Sequence, residues 1–291
     1  MKILITTDGS ADARIACETA LRVLSPEDRR IDILCVAPPS GNGPHHHRYD
    51  RRLQAKAAEI ARSTQEQIGA VADIVTAGGS AAGVIVDRAQ DYDLTVIGAR
   101  SRTGTGDAGL GPVATRVVQH AMAPVLIGRE MNSETGTRIL AAVDGSRTSM
   151  NALETLARLC DLRDSEITLL HVSETPWIHL GGEDEWATLD DDEKDRTDAG
   201  VLEREMTREG ETILDDARKL LRPTCAAVDT VIDEGNPADE ILSEADRGQH
   251  DLIVVGATGD RSLKHSMLGS VSTKVAWNAP CSVLIVRQPA S

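Results

Sequence analysis

Short β-branched runs alternate along this chain with longer stretches in which apolar residues return at helical spacing. Such alternation is the pattern of βα units feeding a mostly parallel sheet. It predicts five strands in each half. In the first half they centre on Ile3 to Ile5, Ile31 to Val36, Val71 to Val75, Leu94 to Ile97 and Val125 to Ile127. In the second they centre on Ile139 to Val143, Ile167 to Val172, Val228 to Ile232, Leu252 to Val255 and Val283 to Val286. After Ser146, residues Leu153, Leu156, Ala157 and Cys160 share one helical face, and Ser146 is placed to cap the first turn.

The two halves read as copies of one unit. Lys2-Ile-Leu-Ile-Thr-Thr-Asp8-Gly9-Ser10 recurs as Arg138-Ile-Leu-Ala-Ala-Val-Asp144-Gly145-Ser146, and Ile33-Leu-Cys-Val36 recurs as Leu169-Leu-His-Val172. Asp93-Leu-Thr-Val-Ile-Gly98 recurs as Asp251-Leu-Ile-Val-Val-Gly256. A chain of 291 residues accommodates two domains of about 140 residues, each able to bury its own core. The expected domains are 1–130 and 138–291, with the polar stretch 129–137 as a linker. The second copy is longer by about 20 residues between its second and third strands, where Glu183 to Asp198 carries nine carboxylates against Lys194 and Arg196. This stretch reads as a solvated acidic loop, because its carboxylates lack the EF-hand arrangement and its turn glycine.

Composition narrows the function. The chain has no Phe and only Trp177, Trp186, Trp277, Tyr49 and Tyr92 as aromatics, so aliphatic strands and Ala-rich helices must form the core. Its net charge of -15 opposes binding to nucleic acid, and few aromatics are present to stack on bases. The acidic excess belongs to the second half, with 15 basic against 16 acidic side chains before Gly136 and 16 against 30 from there on. No apolar run approaches the roughly 20 residues of a membrane span, and the opening segment lacks a signal-peptide core, so a cytoplasmic protein without a membrane partner is expected. Cys17, Cys35, Cys160, Cys225 and Cys281 are widely spaced and form no C-x-x-C pair, which favours small core residues over a disulfide or zinc framework.

The informative segment follows the fourth strand of the second copy: Gly256-Ala-Thr-Gly259, nine residues, then Gly269-Ser270-Val271. Glycines there let the backbone approach a ligand and adopt positive φ, while Ser270 and the N–H groups opening the next helix suit phosphate oxygens. With the Asp-Gly-Ser after the first strand and the terminal Ala279-Pro280-Cys281-Ser282-Val283 run, this resembles the phosphate loop of the universal stress protein family. The resemblance spans nearly the whole chain, twice. It implies an α/β fold of two tandem flavodoxin-like (Rossmann-like) domains, each a five-stranded mostly parallel sheet flanked by helices. It also implies pairing of the last strands of the two halves, a pseudo-dimer within the chain, with a homodimer of whole chains left open. By the same likeness, Ala142, Asp144 and Val172 are expected around the adenine end of an ATP molecule. Gly256, Thr258, Gly259, Gly269, Ser270 and Val271 are expected to hold its ribose and phosphates, with Arg261 and Lys264 as optional added charge and Mg²⁺ as an optional companion.

The first copy departs from this pattern. Its matching segment is Gly98-Ala-Arg-Ser101, nine residues, then Gly111-Pro112-Val113. Ser101 replaces a glycine that would tolerate positive φ, and Pro112 has no N–H to donate, although Pro also suits a first helical position. Gly104-Thr-Gly106-Asp-Ala-Gly109 matches a dinucleotide fingerprint by letter only, since six residues separate it from the strand, and His45-His46-His47 reads as an exposed loop rather than a metal site. No nucleophile elbow, Walker lysine loop or H-E-x-x-H motif is present. The expectation is an ATP-binding stress-response regulator that acts on an unidentified protein client and is not an enzyme. The alternatives are an adaptor that binds no nucleotide and a slow adenine-nucleotide hydrolase.

Overall fold

A computed structural model describes residues 1–39, 46–100, 109–131, 136–174, 198–225, 227–259 and 268–287, with backbone alone at 46–49 and 198–203. The acidic loop ahead of Asp198, the His45 end of the histidine run, Ser101 to Ala108, Arg261 and Lys264 lie outside the described residues.

The first repeat runs β1 (Lys2–Thr6), α1 (Ala11–Val23), β2 (Arg30–Ala37), α2 (His46–Ile68), β3 (Asp73–Gly78), α3 (Ala81–Ala89), β4 (Leu94–Gly98), α4 (Pro112–His120) and β5 (Val125–Gly128). The second repeats the order as β6 (Thr137–Ala142), α5 (Arg147–Leu159), β7 (Ser165–Ser173), α6 (Asp198–Leu221), β8 (Ala227–Glu234), α7 (Pro237–Arg247), β9 (Leu252–Gly256), α8 (Ser270–Asn278) and β10 (Ser282–Val286). All ten strands join one sheet in the order β3-β2-β1-β4-β5-β10-β9-β6-β7-β8. Neighbours are parallel except at the seam, where β5 and β10 run antiparallel with Leu126 opposite Leu284. The expected pairing of last strands is therefore present within the chain.

Strand side chains alternate between two cores, as a period of two requires. Ile3 and Ile5 meet α1 and α2 on one face, and Ile139 and Ala141 meet α5 and α6 on the same face. Leu4 and Leu140 point to the other face, which α3, α4, α7 and α8 cover. Leu153, Leu156 and Cys160 sit in the first of these cores, with Ala157 partly buried beside it. Ser146 caps α5 by accepting from the Ser149 N–H at 3.1 Å, and Ser10 caps α1 in the same way at 3.2 Å. All five cysteines are buried and none is in a disulfide, and burial pushes the thiols of Cys17, Cys160 and Cys281 up to about 12.

Two expectations need correction. Val71 is 97% exposed and precedes β3, which starts at Asp73. Arg129, read as part of a polar linker, is instead a half-buried contact between the repeats, donating to the Ala276 carbonyl at 2.7 Å. A second contact lies across the pseudo-twofold axis, where Leu24 and Cys160 bridge antiparallel, flanked by Ser25 N–H to Leu159 at 2.9 Å and Asp161 N–H to Val23 at 3.0 Å. Among the described residues no helix is long and apolar enough to cross a membrane.

Candidate functional site

In the second repeat the carboxyl ends of β6, β7 and β9 open into a cavity of about 590 Å³. Such crevices at the strand ends of open α/β sheets are where ligands bind. Beyond β6 the chain turns at Asp144, whose Oδ1 accepts the Ser146 N–H at 3.0 Å. Gly145 makes the turn possible with φ +77, and a Cβ there would lie 2.9 Å from Ile213 of α6. Gly9 holds the same φ in the first repeat.

The loop after β9 closes through Gly269, whose N–H donates to the Ala257 carbonyl at 2.7 Å. Ser272 Oγ donates to the Gly256 carbonyl at 2.6 Å and ties the start of α8 to the end of β9. Gly269 caps α8 without a side-chain acceptor, so its first turn presents N–H groups at the edge of the cavity. An N-terminus of this kind carries partial positive charge suited to an anion.

Ala142, Asp144, Val172, Gly256, Thr258, Gly259, Gly269, Ser270 and Val271, all singled out from sequence, line this one cavity. Of the two reasons expected for these glycines, positive φ is not realised. Gly269 has φ -68 and Gly259 is not among the residues with positive φ. Space is tight at both, because a Cβ at Gly259 would lie 2.7 Å from Asp144 Oδ2 and one at Gly269 would lie 3.2 Å from the Ala257 carbonyl oxygen.

Sequence reasoning missed the opposite wall. Met206, Glu209 and Ile213 of α6 and Ile241 of α7 line the cavity, as do His171 and Glu174 at the end of β7. His171 Nδ1 lies 2.9 Å from the Val143 carbonyl. Its place in the recurring strand motif was the available signal.

The first repeat keeps the backbone of this helix start and changes its chemistry. Gly111 has φ -66 and ψ 161 against -68 and 162 at Gly269, and its N–H bonds Ala99 at 2.8 Å. Pro112 occupies the first position of α4, where Ser270 stands in α8. Arg100, which replaces Thr258, pairs with Asp12 at 3.3 Å.

The architecture is that of a tandem α/β protein with a glycine-loop cavity. The model of the universal stress protein family matches residues 1–129 and again 136–287, and the chain belongs to that family. It is 33% identical to the universal stress protein YxiE of Bacillus subtilis over 52% of this chain and 98% of that one. A universal stress protein of Mycolicibacterium smegmatis is 25% identical over 98% of this chain and 96% of its own. The crystal structure of a universal stress protein from Archaeoglobus fulgidus shares the fold with a TM-score of 0.65 at 21% identity, covering 98% of both chains.

Proposed function

We propose that this chain is an ATP-binding, cytoplasmic stress-response regulator whose second repeat holds the nucleotide. The observation that supports this most is the convergence of the nine sequence-selected residues, drawn from separate loops, on one cavity with an uncapped helix start at its rim. The phosphates would lie along Gly256, Thr258, Gly259, Gly269, Ser270 and Val271, where N–H groups and the α8 dipole favour negative charge. The adenine end would lie beside Ala142, Asp144 and Val172, where Ile213, Ile241 and Met206 supply apolar surface. Mg²⁺, where present, would arrive with the phosphates.

Pro112 removes a donor from the equivalent helix start, and the Arg100 to Asp12 pair occupies the neighbouring loop. These differences support one nucleotide per chain. A regulator in this sense changes the surface it offers a protein client according to nucleotide occupancy. Mass spectrometry of ligand released from the purified chain tests the reading, with adenine nucleotide as the expected result. A chain that carries none and takes up none when ATP is supplied would favour the adaptor alternative.

A further inference from the structure

His171 stands in the cavity wall, and nothing in the glycine pattern gives it a role. Its Nδ1 lies 2.9 Å from the carbonyl oxygen of Val143, the residue between β6 and the Asp144 turn. A carbonyl only accepts, so Nδ1 carries a proton. Val143 also donates its own N–H to the Leu170 carbonyl at 2.9 Å. Both backbone groups of Val143 are thus held from β7, one by the main chain and one by the imidazole.

The Val143 carbonyl belongs to the same peptide plane as the Asp144 N–H, which has only a long contact to Ser149 Oγ at 3.4 Å. The imidazole is therefore the strong restraint on the plane from which the Asp144 side chain enters the cavity. On its other side the ring rests against α6, where a Cβ at Gly210 would lie 2.8 Å from His171 Cδ2 and 3.4 Å from Nε2. Glycine inside a helix costs about 1 kcal/mol relative to alanine, so its presence within α6 calls for a reason, and the ring supplies one.

The first repeat exchanges both members of this pair. Cys35 stands at the place of His171. A Cβ at Gly9 would meet Ile60 and one at Gly145 would meet Ile213, which aligns α2 with α6 and sets Ala57 at the place of Gly210. Large against small in one repeat is thus small against larger in the other, while Asp8 and Asp144 are common to both.

We propose that His171 is a positioning residue of the second repeat's site. Its Nδ1–H fixes the Val143 to Asp144 peptide, and Gly210 makes room for the ring. This deepens the nucleotide reading and rests on it. The test compares His171→Asn, His171→Gln, Gly210→Ala and a double variant, His171→Cys with Gly210→Ala, that copies the first repeat. The Asn amide nitrogen sits on Cγ, as Nδ1 does, whereas the Gln nitrogen sits one bond farther out. ATP affinity is expected within about threefold of wild type for Asn and about tenfold weaker for Gln and Gly210→Ala. The double variant is expected to melt with the wild type yet bind as weakly as Gln.

Loss with Asn and retention with Gln would move the role to Nε2 and overturn the proposal, as would wild-type affinity in the double variant. Nitrogen-15 shifts of the imidazole in the ligand-free protein provide a second readout, expected to show Nδ1–H, and an Nε2–H tautomer would overturn the proposal without reference to ATP. Failure of the wild type to bind ATP would instead remove the nucleotide reading, and the tautomer would still decide whether the ring holds Val143.

Discussion

Arg129 and Arg287 follow the last strands of the two repeats, and each reaches across the seam to the last helix of the other. Arg129 donates to the carbonyls of Ala276 at 2.7 Å and Cys281 at 3.1 Å, and Arg287 donates to those of Val118 at 2.9 Å and Gln119 at 2.8 Å. Ala276 and Val118 are equivalent positions in α8 and α4. The carboxyl end of a helix carries unpaired carbonyls and partial negative charge, so a guanidinium there satisfies both. Burial draws both arginines below their ordinary values, although the group keeps its charge at neutral pH.

Removing either arginine leaves carbonyls unpaired at a buried seam. Arg129→Ala and Arg287→Ala should each lower the free energy of unfolding by about 2 kcal/mol, measured by denaturant titration. Arg129→Lys should recover only part of the loss, because one ammonium cannot match the forked contact to Ala276 and Cys281. Losses within about 0.5 kcal/mol would show that the clamp adds nothing to the seam.

A pH effect follows from a second equivalent pair. Tyr92 donates to Asp32 Oδ2 at 2.6 Å in the first repeat, while His250 Nε2 lies 3.2 Å from Thr168 Oγ1 in the second. Burial lowers the His250 pKa, with the Glu244 carbonyl opposing that shift. The unfolded chain then binds the proton more readily than the folded one. The contribution is full above the unfolded value of about 6.5 and is lost as pH falls below it, by at most about 1.4 kcal/mol per pH unit. His250→Gln should therefore lose less stability than wild type between about pH 7.5 and about pH 5. Parallel pH curves for the two proteins would contradict this.

Gly269 and Gly111 share one backbone conformation, so the same substitution at both separates site chemistry from folding. Gly269→Val places side-chain atoms at the Ala257 carbonyl and the cavity rim and should weaken ATP by more than about tenfold. Gly111→Val should leave affinity within about twofold, since Pro112 already denies that helix start a donor. Circular dichroism must show folded variants before affinities are compared. Equal losses would mean that both repeats bind nucleotide.

Much of this was legible because a few residues carried strong local constraints. The β-branched runs gave all ten strands, since the central strands are buried on both faces and read as continuous apolar segments. The boundary failed at β3, an edge strand paired only with β2, where Val71 is free to be apolar and exposed. In the site, glycine spacing located the loops, but positive φ, one of the two causes it suggested, is not realised. The backbone at Gly269 is ordinary, and what opposes a side chain there is crowding by Ala257. Met206 and Glu209 were missed because their placement depends on how α6 packs over β7, a long-range contact with no local spacing to betray it, whereas His171 had only its place in the recurring strand motif as a signal. Arg129 was missed for the same reason, because its partners lie in the other repeat.

The central claim is that one repeat of two holds ATP. Isothermal titration calorimetry of the purified, nucleotide-stripped chain measures it directly, because stoichiometry counts sites without assuming where they are. One ATP per chain is the expected result, abolished by Gly269→Val and unchanged by Gly111→Val. Two ATP per chain, or one that survives Gly269→Val and disappears with Gly111→Val, would contradict it.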